Sequence, residues 1–145
     1  MLKEFLELLQ KEKQILTELV SITEKQNHAL IEYKTTLIPE IVSKQDILLA
    51  QLSKLENERI KMFMDNFKIS RADAIRLKLS FIESKLKGEK AELVKSLRMA
   101  IARLNERLVK LNNENKILAN RGKQSINNII RTLNQNNNAV FNVRI

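Results

Sequence analysis

The sequence predicts an all-α fold: an antiparallel bundle of long, coiled-coil-like helices with a marginally stable amphipathic helix at its C-terminal end. Two observations predict it. The 145 residues include two Gly and one Pro, too few turn residues for a many-stranded sheet, whereas the helix-forming residues Leu, Lys and Glu are frequent. Apolar residues also recur at alternating steps of three and four, as on the buried face of a helix. The length suits one domain with its own core.

The first two predicted helices are joined by a short connection and should therefore be antiparallel neighbours. The first runs over about 2–26. The second spans about 37–65 and has Pro39 in its first turn, where the missing N–H costs little. The apolar seam of the second helix is continuous if Gln45 and Arg59 occupy two of its positions. The seam of the first helix consists of Leu2, Phe5, Leu9, Leu16 and Leu19, broadened by Leu6, Ile15 and Ile22.

The second half of the chain contains two further apolar patterns, separated by a predicted break at Gly88. Ser70 and Asp73 resemble a capping box for a helix over 71–87, whose seam would be Ala72, Ile75, Leu79, Ile82 and Leu86. The last pattern runs from Leu93 to Leu133 and is interrupted at Asn115 and Gly122. Its apolar members are Leu93, Leu97, Ala100, Leu104, Leu108, Leu111, Leu118, Ile126, Ile129 and Leu133.

The second part of this pattern, roughly 116–134, is predicted to bind a partner protein. Eleven Asn occupy 112–145, and Asn is a weak helix former, so this part should be only marginally helical alone. A marginal helix that keeps an apolar face is typical of a segment that orders on a partner. The pattern alone fits equally a last helix docked on its own bundle. The predicted partner-binding residues are Asn112, Asn115, Leu118, Ile126, Ile129, Ile130 and Leu133.

Accordingly, we expect two parts within a single domain, a helical bundle over 1–118 and a client-binding helix with an Asn-rich tail over 119–145. The run from Asn134 to Asn138 cannot bury apolar surface and is expected to be mobile. Ala139–Ile145 alternates apolar and polar residues, so it either pairs as a strand or frays.

Catalytic and metal-binding residues are not found in any recognisable arrangement. The chain has no Cys and one His, so neither a thiolate site nor a histidine dyad can form. His28 is interpreted as a surface residue. The carboxylate pairs Glu56 with Glu58 and Glu89 with Glu92 lie among lysines and arginines, as on a solvated helix surface. No phosphate-binding glycine loop occurs. We therefore expect no enzyme, cofactor or metal site.

The net charge of +9 is concentrated in the second half of the chain. Residues 67–111 carry twelve Lys or Arg against five acidic residues, but they spread around the helix and lack the interleaved aromatics of nucleic-acid-binding surfaces. An ordinary charged face or attraction to an acidic protein is favoured over nucleic acid. The longest apolar runs are four residues, far below the roughly 20 of a membrane-spanning helix. A cytoplasmic protein without membrane insertion is expected.

The order and spacing of these features resemble the FlgN-type flagellar export chaperones. The resemblance covers roughly 1–62 and 93–134. The chain departs from the family pattern at Tyr33 and Lys34, where the family often has Asp, and in its less hydrophobic last helix. The matching residues, after an N-terminal Leu-rich helix, are Ala29, Leu30, Leu37, Ile41, Lys44, Gln45, Leu48, Leu49, Leu52, Leu55, Glu56 and Arg59, and then Asn112, Asn115 and Leu118.

This resemblance implies a chaperone that holds the terminal helices of hook–filament junction (hook-associated) proteins before export and delivers them to the flagellar export gate. It also implies that the C-terminal helix binds the client. We further expect the chain to be a monomer when no client is bound. Two alternatives remain open on sequence grounds. One is a structural or adaptor coiled coil whose last helix closes a homo-oligomer, and the other is a basic nucleic-acid-binding bundle.

Overall fold

The computed structural model describes the backbone of residues 2–137 and the side chains of residues 2–134. The predicted strand or frayed end at Ala139–Ile145 and the last residue of the Asn run therefore lie outside the described residues. Within the described range the chain is helical with no strand, which confirms the all-α fold class. The elements are α1 (Leu2–Ile31), a 3-10 helix (Thr35–Leu37), α2 (Ile38–Phe67), α3 (Arg71–Arg76), α4 (Leu79–Ser84) and α5 (Glu89–Asn137).

The first two helices are antiparallel neighbours, as predicted. Glu12 near the start of α1 bonds Arg59 near the end of α2, and Thr23 in α1 bonds Gln45 in α2. Pro39 lies in the first turn of α2, as expected from its missing N–H. The prediction that α1 ends near residue 26 is wrong by one and a half turns, because the last part of α1 packs Ala29 against Ile41.

The predicted single helix over 71–87 is wrong. The chain is extended at Leu77 and Lys78, which separates α3 from α4. Ala72 and Ile75 are exposed, whereas Ala74 is buried. The break allows residues on more than one face of the segment to reach the core, since Ala74, Leu77, Leu79, Ile82 and Leu86 all pack against it.

The structure confirms the helix cap predicted at Ser70 and the break predicted at Gly88. The Ser70 hydroxyl accepts a hydrogen bond from the Asp73 N–H at 3.2 Å and caps α3. Gly88 has a φ of +66° and separates α4 from α5. This left-handed conformation is strained for residues with a Cβ, so the glycine gives the chain the turn that it needs before α5.

At two positions on α5, the buried residue is the one that follows the residue predicted to be buried. Val94 and Ile101 are buried in place of Leu93, which is 53% exposed, and Ala100. The predicted interruption at Asn115 is a buried position. The observed seam is Val94, Leu97, Ile101, Leu104, Leu108, Leu111 and Asn115, which keeps steps of three and four throughout.

The core lies between α1, α2 and the first half of α5. Phe5, Leu9, Leu16 and Leu19 of α1 are almost fully buried there. At the end that contains α3 and α4, three aromatic contacts join Phe5 to Phe63, Phe63 to Phe67 and Phe67 to Phe81, with ring centroids 5.7–6.1 Å apart. α1 is thus the central helix, and α2 and α5 both pack on it.

Candidate partner-binding surface

The last part of α5 extends past the end of α1. The two helices are parallel, because Leu2 and Leu6 line one groove with Leu93 and Leu97 while Asn27 bonds Asn115 further along. Since parallel helices rise together, the end of α1 at Ile31 is level with about residue 119 of α5. The remainder, residues 119–137, is here called the C-terminal extension. It is about 27 Å long at about 1.5 Å per residue.

A group of amide and hydroxyl side chains joins the three long helices just before the extension begins. The Asn115 amide NH2 donates to the Thr23 carbonyl at 3.3 Å and to Gln26 Oε1 at 3.2 Å. Asn115 Oδ1 accepts from Asn27 Nδ2 at 3.0 Å. Gln45 of α2 donates to Gln26 Oε1 and Thr23 Oγ1. We call these five residues the polar clamp.

The polar clamp sets where and how α5 docks on α1. Asn115 is buried, and buried polar groups are costly unless they are hydrogen-bonded. A shift of α5 by one turn would place an apolar residue against the amides of α1 and leave them without partners. The clamp therefore favours one register of the helices, as a single buried Asn does in coiled coils. The position predicted to meet a partner instead holds α5 to its own bundle.

Beyond the clamp, the apolar residues of α5 continue in the same direction but leave the core. Within 116–134, the part whose side chains are described, no residue is buried. Ile126, Ile129 and Leu133 are 47%, 59% and 39% exposed, whereas Leu118 and Ile130 are half-buried. We call these five residues the extension stripe. Asn112 is exposed on the bundle, one turn before the clamp.

The structure thus divides the seven predicted partner-binding residues into two groups. The five members of the extension stripe lie on one face of α5, and within the described chain none of them packs against either hydrophobic core cluster. Asn112 and Asn115 belong to the bundle. Backbone helicity continues through Gly122, at which an added Cβ would meet nothing within 4 Å.

A buried ion pair between α1 and α2 is a feature that sequence reasoning missed. Glu12 Oε2 accepts from Arg59 Nη1 at 2.6 Å, while Glu12 Oε1 is buried and has no hydrogen-bond partner in the described chain. Burial raises the pKa of Glu12 to about 7, with Arg59 opposing and Glu56 adding to the increase. The spacing of Glu12 from Leu9, Leu16 and Leu19 by threes and fours was the signal that could have revealed it.

The His and Glu residues that were considered as catalytic or metal-binding groups lie on the surface. His28 is exposed at the rim of a pocket between α1 and α2, and Glu56, Glu58, Glu89 and Glu92 are exposed. No cluster of three metal-ligating residues occurs in the described range. Two cations of the basic segment are paired, Arg98 with Glu83 at 2.7 Å and Arg107 with Glu24 at 3.5 Å. Within residues 2–137, every helix is too short or too polar to cross a membrane.

Comparison with known protein families agrees with this architecture. The family model described as FlgN protein matches residues 1–143, which is nearly the whole chain. The chain belongs to the FlgN family. FlgN proteins are flagellar export chaperones and not enzymes, and the resemblance inferred from the sequence is confirmed. Comparisons with curated proteins and with solved structures give no significant match.

Membership in the FlgN family gives the extension stripe its functional context. Members of a flagellar chaperone family interact with flagellar proteins. In this FlgN protein the core seam of α5 is covered by α1 as far as the polar clamp, and the extension stripe continues the same face without such a cover. The stripe is therefore the apolar surface of α5 that the described bundle does not cover.

Proposed function

We propose that this FlgN-family protein binds the terminal helices of hook-associated proteins in the cytoplasm and delivers them to the flagellar export apparatus. Residues 1–118 act as a self-sufficient scaffold, and residues 119–145 bind the client. The chain is a monomer while it has no client, and no bond is made or broken. The observation that carries the proposal is the exposed apolar stripe that continues the core seam of α5 beyond the end of α1.

The size of this surface suits a complex that must later release its cargo. A client helix that covers the extension stripe buries the exposed part of five aliphatic side chains that are already partly buried. Each therefore contributes less than the about 1.5–3 kcal/mol that full burial of an exposed side chain is worth. Ordering the client and losing its translational freedom offset a large share of that gain. The net result is a reversible complex, consistent with a chaperone that transfers its client.

The direct test is capture of a purified hook-associated protein by variants of the full chain, measured by calorimetry. Replacing both Ile126 and Ile130 with Asp should abolish capture while the thermal midpoint changes little, because neither side chain belongs to the core. Deletion of 119–145 should have the same two effects.

The matched control is Ile117→Asp. Ile117 lies nine residues from Ile126, on the opposite side of the helix at about 100° per residue, and is 52% exposed. It should bind the client as the native chain does. Unfolding of the chain on deletion of 119–145, or equal capture by the stripe and control variants, would contradict the proposal.

A further inference from the structure

We infer that the partner helix that covers the extension stripe is acidic, with carboxylates on both sides of its apolar face. This inference rests on the proposed function and specifies the chemistry of the partner at the same surface. The observation behind it is the sign of the charges around the stripe. Glu114 is the last acidic residue of the sequence, and it is followed by Lys116, Arg121, Lys123 and Arg131 within the described part of α5.

Helical geometry places three of these cations beside the stripe. At about 100° per residue, Lys116 and Lys123 lie on one line along α5, about 80–100° from the centre of the stripe. Arg121 lies on the other side, about 120° from the centre. Arg131 faces away. All four side chains are exposed, so a helix seated on the stripe would have Lys116 and Lys123 along one side and Arg121 on the other.

Three arginines of the bundle have carboxylate partners within the chain. Arg59, Arg98 and Arg107 each bond a carboxylate of another helical element. Residues 115–145 contain no Asp or Glu, and among the described residues Lys116, Arg121 and Lys123 form no salt bridge. A partner helix with carboxylates beside its apolar face would supply acidic groups that pair with these cations. A partner with basic flanks would meet like charges, which are unfavourable at an interface.

The same argument disfavours a second copy of this chain as the occupant. Two extension stripes packed together would bring two sets of cations into one interface without any carboxylate between them. An acidic amphipathic helix satisfies both the apolar stripe and its positive borders. Charge complementarity of this kind raises the association rate and makes the affinity depend on salt.

The test uses two synthetic helical peptides of about 18 residues with the same leucine stripe, one flanked by Glu and the other by Lys. At about 50 mM salt, fluorescence anisotropy should show the Glu peptide binding the full chain at least about tenfold more tightly. Raising the salt concentration should weaken the binding of the Glu peptide to the chain. Equal affinity, tighter binding of the Lys peptide, or binding of neither peptide would overturn the inference.

Two variants with the same change in charge test whether the preference for the Glu peptide depends on the cations beside the extension stripe. The triple variant Lys116→Gln, Arg121→Gln, Lys123→Gln should lose the preference for the Glu peptide by about tenfold. The control Lys11→Gln, Lys54→Gln, Lys61→Gln makes the same charge change on exposed positions of α1 and α2 and should keep the preference. Equal behaviour of the two triple variants would overturn the inference.

Capture of a hook-associated protein separates this inference from the proposed function. If the native chain and the extension triple variant capture that protein equally, and Ile126→Asp with Ile130→Asp does not, the function stands and the acidic partner is wrong. If the native chain fails to capture it, the proposed function fails, whatever the peptides show.

Discussion

At the scale of single residues, Glu12 departs most from the ordinary solvated carboxylate. It occupies a seam position of α1 and is buried against α2, where Arg59 bonds one oxygen and the other has no partner within the described residues. Removing the charged carboxylate from water disfavours its ionised form, so burial raises its pKa to about 7. This residue therefore links the stability of the α1–α2 interface to pH.

We predict that Glu12 lowers the free energy of unfolding as pH rises from about 4.5 to about 7. In this interval the unfolded chain loses the proton first, so the folded state binds more protons and stability falls with increasing pH. The increase of the Glu12 pKa from 4.5 to about 7 corresponds to a destabilisation of about 3 kcal/mol once the pH exceeds both values. Urea unfolding at pH 5 and pH 8 measures this change in the free energy of unfolding.

Glu12→Gln should remove this contribution, so its stability relative to the native chain should increase between those two pH values. Glu4→Gln, at an exposed position of the same helix, should follow the native pH profile. Parallel profiles for the native chain and Glu12→Gln would show that Glu12 does not titrate in this range.

Asn115 gives a second prediction at this scale. Asn115→Ala removes the hydrogen bonds to Thr23, Gln26 and Asn27 and should lower the free energy of unfolding by about 1–3 kcal/mol. Asn112→Ala, three residues earlier and exposed, should change it by less than about 0.5 kcal/mol. Equal effects in urea unfolding would mean that the polar clamp contributes nothing specific.

At the scale of elements, the two glycines have opposite roles. Gly88 lies in a turn with a φ of +66°, and Gly122 lies inside α5. An added Cβ meets no atom within 4 Å at either position. Backbone conformation alone should therefore decide the effect of a substitution at each of them.

Gly88→Ala should destabilise the chain by about 1–2 kcal/mol, because residues with a Cβ are strained in the left-handed region. Gly122→Ala should instead increase helicity, since Ala is favoured over Gly in a helix by about 1 kcal/mol. Urea unfolding tests the first and circular dichroism the second. A loss of helicity in Gly122→Ala would show that this glycine has a packing role.

At the scale of the whole molecule, the bundle and the C-terminal extension differ in what holds them in place. α5 packs on the core as far as the polar clamp, whereas no described residue of the extension belongs to either hydrophobic core cluster. Most helical stability in proteins comes from tertiary packing of an amphipathic face, and Asn lowers helicity further. The two parts should therefore open with different free energies.

Amide hydrogen exchange of the chain without a client should show this difference. Amides of the bundle core, such as those of Leu16 and Leu19, should exchange only through global unfolding, whereas those of 120–134 should exchange through local opening at least about a hundredfold faster. Adding a hook-associated protein should slow the second group. Equal protection of both groups in the isolated chain would contradict a scaffold with a separately ordered extension.

Sequence patterns were sufficient for the features that depend on local conformation. Pro39 indicated the start of α2, Ser70 the cap of α3 and Gly88 the break before α5, because each depends on the backbone of one residue or one turn. The all-α fold and the antiparallel α1–α2 pair followed from helical spacing and a short connection. The apolar members of the extension stripe were also identified, since their spacing is local to one helix.

Tertiary structure alone decided which residues of each pattern are buried. Leu93 and Val94 differ by one position in the helical spacing, and packing in the core cluster buries Val94 while Leu93 stays 53% exposed. Asn115 looked like an interruption of an apolar face until α1 supplied Thr23, Gln26 and Asn27 as partners. Helical periodicity specifies the angle of a side chain around its own axis, but the neighbouring helix determines where core ends and uncovered surface begins.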